Sequence, residues 1–228
     1  MHQPAQKKLA LAFWLLALLD IAGIAAGIEP LHFIAKPLLI PALFALLLVS
    51  PSIIPGKKLL LIGLFFSWLG DVFLLFEYKY ALFFIFGLAS FLTTHIFYII
   101  YFVKIRSQHT SLLKKQPLLI VLVLAYGVSL VGLLYPYLGD LRVPVVIYAV
   151  VICSMLLCSL QIFLKVNRQA ALSYLLGAGC FVLSDSLLAI NKFYTPFACA
   201  GICIMLTYCA AQYFIVRGYT EQTDHDQS

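Results

Sequence analysis

Charge is scarce in this chain. Only 11% of its 228 residues are Asp, Glu, Lys or Arg, whereas 64% are hydrophobic, and the mean hydropathy is +1.04. Soluble domains carry about a quarter of their residues as charges, so composition excludes one and leaves a multi-pass membrane protein. Polar connecting sequence is equally short. Segments such as SPSIIPGKK (50–58), RSQHTSLLKKQP (106–117) and GDLRVP (139–144) punctuate the apolar runs and leave no room for a separate soluble domain. The six cysteines (Cys153, Cys158, Cys180, Cys199, Cys203, Cys209) form neither a CxxC nor a zinc spacing and read as core thiols. Basic clusters interleaved with aromatics are missing, which argues against nucleic acid. No pair of metal ligands occurs at short spacing, so neither a metal nor another cofactor is expected, and nothing points to a protein partner.

What the chain has is apolar windows of about 20 residues, the length that crosses a bilayer as helix. They fall at 9–28, 31–49, 58–77, 80–103, 117–136, 142–164, 171–190 and 196–216. The expectation is an all-α integral membrane protein of eight helices, a single transmembrane domain over 1–228 with a polar cytoplasmic tail at 217–228. Basic residues are retained on the cytoplasmic side. Placing both termini there collects eleven of the fifteen: Lys7, Lys8, Lys57, Lys58, Lys104, Arg106, Lys114, Lys115, Lys165, Arg168 and Arg217. Lys36, Lys79, Arg142 and Lys192 fall opposite. The +6 formal charge then expresses topology and attraction to anionic lipid, in the inner or plasma membrane if the source is bacterial. Lys7 and Lys8 followed by an apolar run also resemble a secretory signal, but Asp20 and the direct continuation into the second window favour a retained helix.

Two aspartates, Asp71 and Asp185, interrupt the strongly apolar stretches 59–75 and 173–190. A constant offset of 114 residues lays these stretches on one another, matching Gly63 with Gly177 and Asp71 with Asp185, and continues to Tyr80/Tyr194, Gly87/Gly201 and Thr93/Thr207. An offset of four helices gives halves that enter the membrane in the same direction. Such parallel repeats are related by an axis along the membrane normal, which would bring the two aspartates to one depth, facing across a central cavity. Chance similarity between apolar helices is the alternative. A carboxylate in hydrocarbon costs a few kcal/mol or more, so such residues usually serve function, although interhelical hydrogen bonding can also retain them.

Other polar groups gather at similar depth. Asp20, Asp71 and Asp185 lie in the non-cytoplasmic halves of their helices, with Lys36 and Glu77 near that surface and His95 nearer the middle. Gly63, Ser67 and Asp71 recur every four residues, a small-residue strip that lets another helix approach. His95 and Tyr98 share a helical face, as do Tyr208 and Gln212. Ser184 flanks Asp185, as Ser186 does on its other side, and Asn191 lies shortly beyond. Each has a structural reading too: Lys36 can snorkel to the interface, Asp20 can line a wall, and His95, Tyr98, Tyr208 and Gln212 can tie helices together.

Low dielectric and mutual repulsion leave one of two facing carboxylates protonated while its neighbour is charged. That supplies an acid and a base together, the logic of carboxylate pairs in glycosidases and aspartic proteases.

In KPLLIPALF (36–44), FSWLGDVFLL (66–75), GLASFLTTHIFYIIYF (87–102), GAGCFVLSDSLLAINKF (177–193) and YCAAQYFIVRG (208–218), the chain resembles the YhhN-like lysoplasmalogenases over nearly its whole length. The resemblance implies an ether hydrolase of lipid metabolism that cleaves the vinyl ether of a lysoplasmalogen, releasing a fatty aldehyde and glycerophosphocholine or glycerophosphoethanolamine. Lysophospholipid and water are then the partners, within membrane lipid. It puts acid–base work on Asp71 and Asp185, with Lys36 and His95 lining the site; in the mechanism that fits this reaction, Lys36 is expected to hold the phosphate. Three other classes compete. A proton- or cation-coupled transporter also uses intramembrane acids. An intramembrane aspartyl protease fits poorly, since Trp68 occupies the first glycine of its Gly-x-Gly-Asp pattern and PAL (41–43) lies upstream of both aspartates. A lipid-binding structural protein would tolerate aspartate-to-asparagine changes.

Overall fold

A computed structural model describes residues 3–51, 55–105 and 111–225. The elements are α1 (Gln3–Ala26), α2 (Glu29–Val49), α3 (Lys57–Leu75), α4 (Ala81–Ile105), the single turn α5 (Leu112–Lys115), α6 (Leu118–Leu134), α7 (Arg142–Ile162), α8 (Arg168–Ala189) and α9 (Ala200–His225). No strand occurs among the described residues. Eight of these helices, all but α5, are long and apolar enough to cross a membrane. The chain is an all-α multi-pass membrane protein, as composition requires.

Helix ends follow local chemistry more than hydropathy. The first helix begins at Gln3, earlier than the apolar window at 9, and α9 runs to His225 through residues expected as tail. Backbone hydrogen bonding continues into polar flanks, which an apolar window cannot register. The α1 helix stops at Gly27, whose φ of +67° supplies the left-handed residue of a Schellman cap: Ile28 N–H donates to Gly23 O at 2.8 Å and Gly27 N–H to Ile24 O at 3.3 Å. The α9 helix starts at Ala200, four residues after its window. Thr195 precedes a proline and is extended (φ −154°, ψ 127°), as a residue before proline prefers.

The chain divides into two compact units, residues 1–104 with 219–228, and residues 105–218. In the first, α2 contains Pro37 and Pro41. Pro41 has no N–H to offer the carbonyl four residues earlier, and that carbonyl, Pro37 O, accepts from Trp68 Nε1 at 3.0 Å. A tryptophan on α3 thus satisfies the acceptor that a proline on α2 leaves open. Lys57 closes the other end of α2, its ammonium donating to Leu48 O at 3.0 Å and Ser50 O at 2.6 Å. The α3 and α4 helices meet through Gly63, where an added Cβ would stand 2.5 Å from the ring of Tyr98, and Thr94 Oγ1 donates to Gly63 O at 3.0 Å.

In the second unit α8 packs on α9 through Gly177, where a Cβ would lie 2.9 Å from Ile215. Leu134, Leu138 and Val145 form a small core with Ala189, Ile190 and Phe193 at one end. The α6 helix is loosely held: 6% of its apolar window is buried, against 22–44% for the other spans. Helix bounds support the repeat. Shifted by 114, the ranges of α2, α3 and α4 become 143–163, 171–189 and 195–219, beside Arg142–Ile162, Arg168–Ala189 and Ala200–His225. The first helix becomes 117–140, matching α6 and the 3₁₀ turns Tyr135–Tyr137 and Gly139–Leu141 that follow it.

Candidate functional site

In the second unit the site centres on Asp185 of α8. Tyr148, on α7, donates its hydroxyl to Asp185 Oδ2 at 2.5 Å, a short contact of the charge-assisted kind. One residue along, Ser186 receives the hydroxyl of Tyr126 from α6 at 2.8 Å and passes its own to Val182 O at 2.5 Å. Two tyrosines on different helices therefore converge on consecutive residues of α8. Beside them lies a space of about 50 Å³, walled by Leu130, Leu134, Val145 and Ile152 among others, large enough for a water molecule. A half-buried carboxylate with one fixed donor, an apolar wall and room for water is equipped to move a proton.

The other expected residues of this unit carry more local duties. Ser184 donates to Ile204 O at 3.1 Å, joining α8 to α9. Tyr208 accepts from Gln212 Nε2 at 3.3 Å within α9, and its ring meets Phe181 edge-on. Asn191 Oδ1 receives the N–H of Phe197 at 3.3 Å and closes the turn before α9.

In the first unit Asp71 is buried on α3, one turn beyond the buried Ser67. His95 and Tyr98 are fully buried on α4. Glu77 sits just past the end of α3, half-buried. Lys36 is 8% exposed, an unusual burial for an ammonium. Asp20 is fully buried and bonds His32 Nδ1 through Oδ1 at 2.7 Å, while its Oδ2 has no hydrogen-bond partner among the described residues. That pair joins α1 to α2, with His32 one turn before Lys36.

Sequence reasoning missed Tyr148, Tyr126 and His32. A signal was present for the tyrosines. Tyrosine in a span usually sits at the interface, whereas Tyr148 and Tyr126 lie inside VPVVIYAVVIC and VLVLAYGVSL, where a phenol must find a partner. Among the described residues no group of three or more His, Cys, Asp or Glu is placed to hold a metal ion.

Apolar spans that carry acids, one of them held by a tyrosine, define a polytopic membrane protein with ionisable groups inside its helices. The chain belongs to the YhhN family, whose model matches residues 31–219. It is 29% identical over 141 residues to a lysoplasmalogenase of Mycobacterium bovis, covering 60% of this chain and 51% of that protein. It is also 29% identical over 177 residues to the human lysoplasmalogenase TMEM86A, covering 75% and 68%, and 30% identical over 175 residues to the bovine one. The chain thus spans about half the length of the mycobacterial relatives it matches. No solved structure matches it.

Proposed function

We propose that this protein is a lysoplasmalogen hydrolase, cleaving the vinyl ether of a lysoplasmenyl lipid to a fatty aldehyde and glycerophosphocholine or glycerophosphoethanolamine. The observation that carries the reading is Asp185: a carboxylate within a spanning helix, bonded by Tyr148 at 2.5 Å beside a small cavity, in a family whose named relatives are lysoplasmalogenases.

Vinyl ethers hydrolyse through slow protonation of the β-carbon. An acid gives up its proton there and the C=C electron pair forms the new C–H bond, leaving an oxocarbenium on the ether carbon. Water adds to that carbon and loses a proton to a base. The resulting hemiacetal then breaks its C–O bond, so that the glycerol oxygen leaves with a proton and the chain leaves as aldehyde. The cycle needs one carboxylic acid, one carboxylate and one water, and it returns the proton it uses. Asp71 and Asp185 are assigned these roles, the ionised group also stabilising the cation. Tyr148 is a positioning residue, holding Oδ2 of Asp185. Lys36 and His95 are assigned to the lining of the site. No metal or organic cofactor takes part, and both termini are placed in the cytoplasm.

The reading is tested by mass balance. Purified protein in detergent, given lysoplasmenylethanolamine, is expected to release aldehyde and glycerophosphoethanolamine in equal amounts. Substrate-dependent flux into proteoliposomes with no product formed would replace the hydrolase with a coupled transporter using the same aspartates.

A further inference from the structure

We infer that the groove between α6 and α7 binds the single hydrocarbon chain of a lysophospholipid, with the lipid's phosphate on Arg142 and the bond at the head of the chain beside Asp185 and Tyr148. This rests on the hydrolase reading for its chemistry, and on the geometry of the second unit for the binding itself.

The groove encloses about 360 Å³, within the range of small-molecule sites. Its α6 wall is Leu124, Gly127, Val128, Val131 and Gly132, one helical stripe at i, i+3, i+4, i+7 and i+8. Its α7 wall runs from Val146 through Val150 and Cys153 to Leu157 at the same period. At 1.5 Å per residue the α6 stripe follows its helix axis for about 12 Å and the α7 stripe for about 16 Å, a long narrow trough suited to an extended chain. Concavity comes from the missing side chain at Gly132, where an added Cβ would meet nothing within 4 Å. Val128 and Val150 stand on its rim, 72% and 61% exposed. In a membrane-spanning helix pair, a trough of this kind faces hydrocarbon.

Two features single out a phospholipid with one chain. Tyr135 closes one end of the groove, and the Arg142 guanidinium lies over its ring, 4.9 Å from the centroid, held by cation–π attraction. Arg142 is exposed and makes no ion pair among the described residues, so its planar donors remain available to a phosphate. The groove also shares Gly127, Val131, Ala149 and Cys153 with the space around Asp185, so the two adjoin across these residues. Arg142 and Tyr148 are six residues apart on α7, about 9 Å of rise, comparable to a glycerol backbone between phosphate and chain. A second groove of about 330 Å³ flanks α6 at Leu122, Leu156 and Gly179, but it meets the Asp185 space only at Tyr126 and Val182 and includes no cation.

The experiment uses an ether-linked lysophosphoethanolamine carrying a diazirine in its saturated chain, which the enzyme does not cleave, with the whole purified protein. Adducts are expected on α6 and α7. Gly132→Phe fills the groove and is expected to lower labelling about tenfold, the effect of 1.4 kcal/mol of lost affinity, with Val128→Trp as a second block. Gly179→Phe, equally open at its Cβ position but in the other groove, leaves labelling unchanged. Arg142→Gln weakens labelling by the lysophospholipid and not by a phosphate-free monoalkylglycerol probe. Free glycerophosphate fails to compete, which separates a lipid site from a simple phosphate site. Adducts on other helices, full labelling of folded Gly132→Phe and Val128→Trp proteins, or lysophospholipid labelling unchanged in Arg142→Gln overturns the proposal. Specific labelling without any aldehyde release from the vinyl ether overturns the hydrolase reading and leaves the groove standing.

Discussion

Replacing Tyr148 by Phe removes one oxygen and leaves the packing of α7 intact, so it isolates the bond to Asp185. A hydrogen bond to a charged group contributes about 1.5–3 kcal/mol, which would be about 10- to 150-fold in rate at 1.36 kcal/mol per decade. Asp185 is only half-buried, so water replaces part of what the phenol supplied. The expected loss therefore lies near the lower end, about 10- to 30-fold by the same scale. It should appear in kcat with little change in KM, because the hydroxyl bonds the reacting carboxylate. Tyr126→Phe is the matched control. Its hydroxyl bonds Ser186, next to Asp185, and its removal should change kcat by no more than about threefold, an ordinary neutral hydrogen bond with no charge at stake. Aldehyde release from lysoplasmenylethanolamine, followed continuously, reads both. A Tyr148→Phe protein that folds normally and keeps wild-type kcat, or a Tyr126→Phe protein that loses as much, refutes the assignment of Tyr148 as the group that positions Asp185.

Other consequences follow from the packing. Trp68→Phe strands the Pro37 carbonyl and should cost about 1–3 kcal/mol, the penalty of an unsatisfied buried acceptor; Pro41→Ala restores a backbone N–H and should recover much of the loss in thermal unfolding in detergent. Gly63→Leu drives a side chain into Tyr98, where even Cβ would stand at 2.5 Å, and should destabilise by about 1–3 kcal/mol or more, while Gly132→Leu, facing open space, should not. His32→Ala removes the partner that His32 gives the buried Asp20 carboxylate at a cost of about 3 kcal/mol, and Asp20→Leu in the same chain should restore folded yield. Aldehyde release should survive excess EDTA, since the proposed scheme uses no metal; loss of activity restored by a divalent ion would contradict it.

The eight helices were legible because hydrocarbon imposes length and composition together, and the 114-residue offset was visible in Gly63/Gly177 and Asp71/Asp185 before any helix bounds were known. Hydropathy could not register where helices run on into polar flanks, as at Gln3–Lys8 and Arg217–His225, since backbone bonding there ignores side-chain polarity. The candidate carboxylates stood out as charges in apolar runs. Their partners did not. Tyr148 and Tyr126 count as apolar on most scales and occupy apolar stretches, so only the rule that a buried phenol must bond could have marked them. His32 lies twelve residues from Asp20 across a helix turn, a contact that depends on how Gly27 reverses the chain. Arg142 looked like an orienting charge at a helix start, and its tie to Tyr135 requires the 3₁₀ turns between α6 and α7. Asn191 and Ser184, by contrast, drew attention for their place near Asp185 and turn out to bond backbone.

The most direct test of the central claim compares aldehyde release by wild type, Asp71→Asn and Asp185→Asn, each purified and checked for folding. The account predicts release by the wild type and near-complete loss in both variants, because asparagine keeps shape and hydrogen bonding but neither donates nor accepts the proton. Release that persists in both folded variants would contradict acid–base catalysis by these two carboxylates.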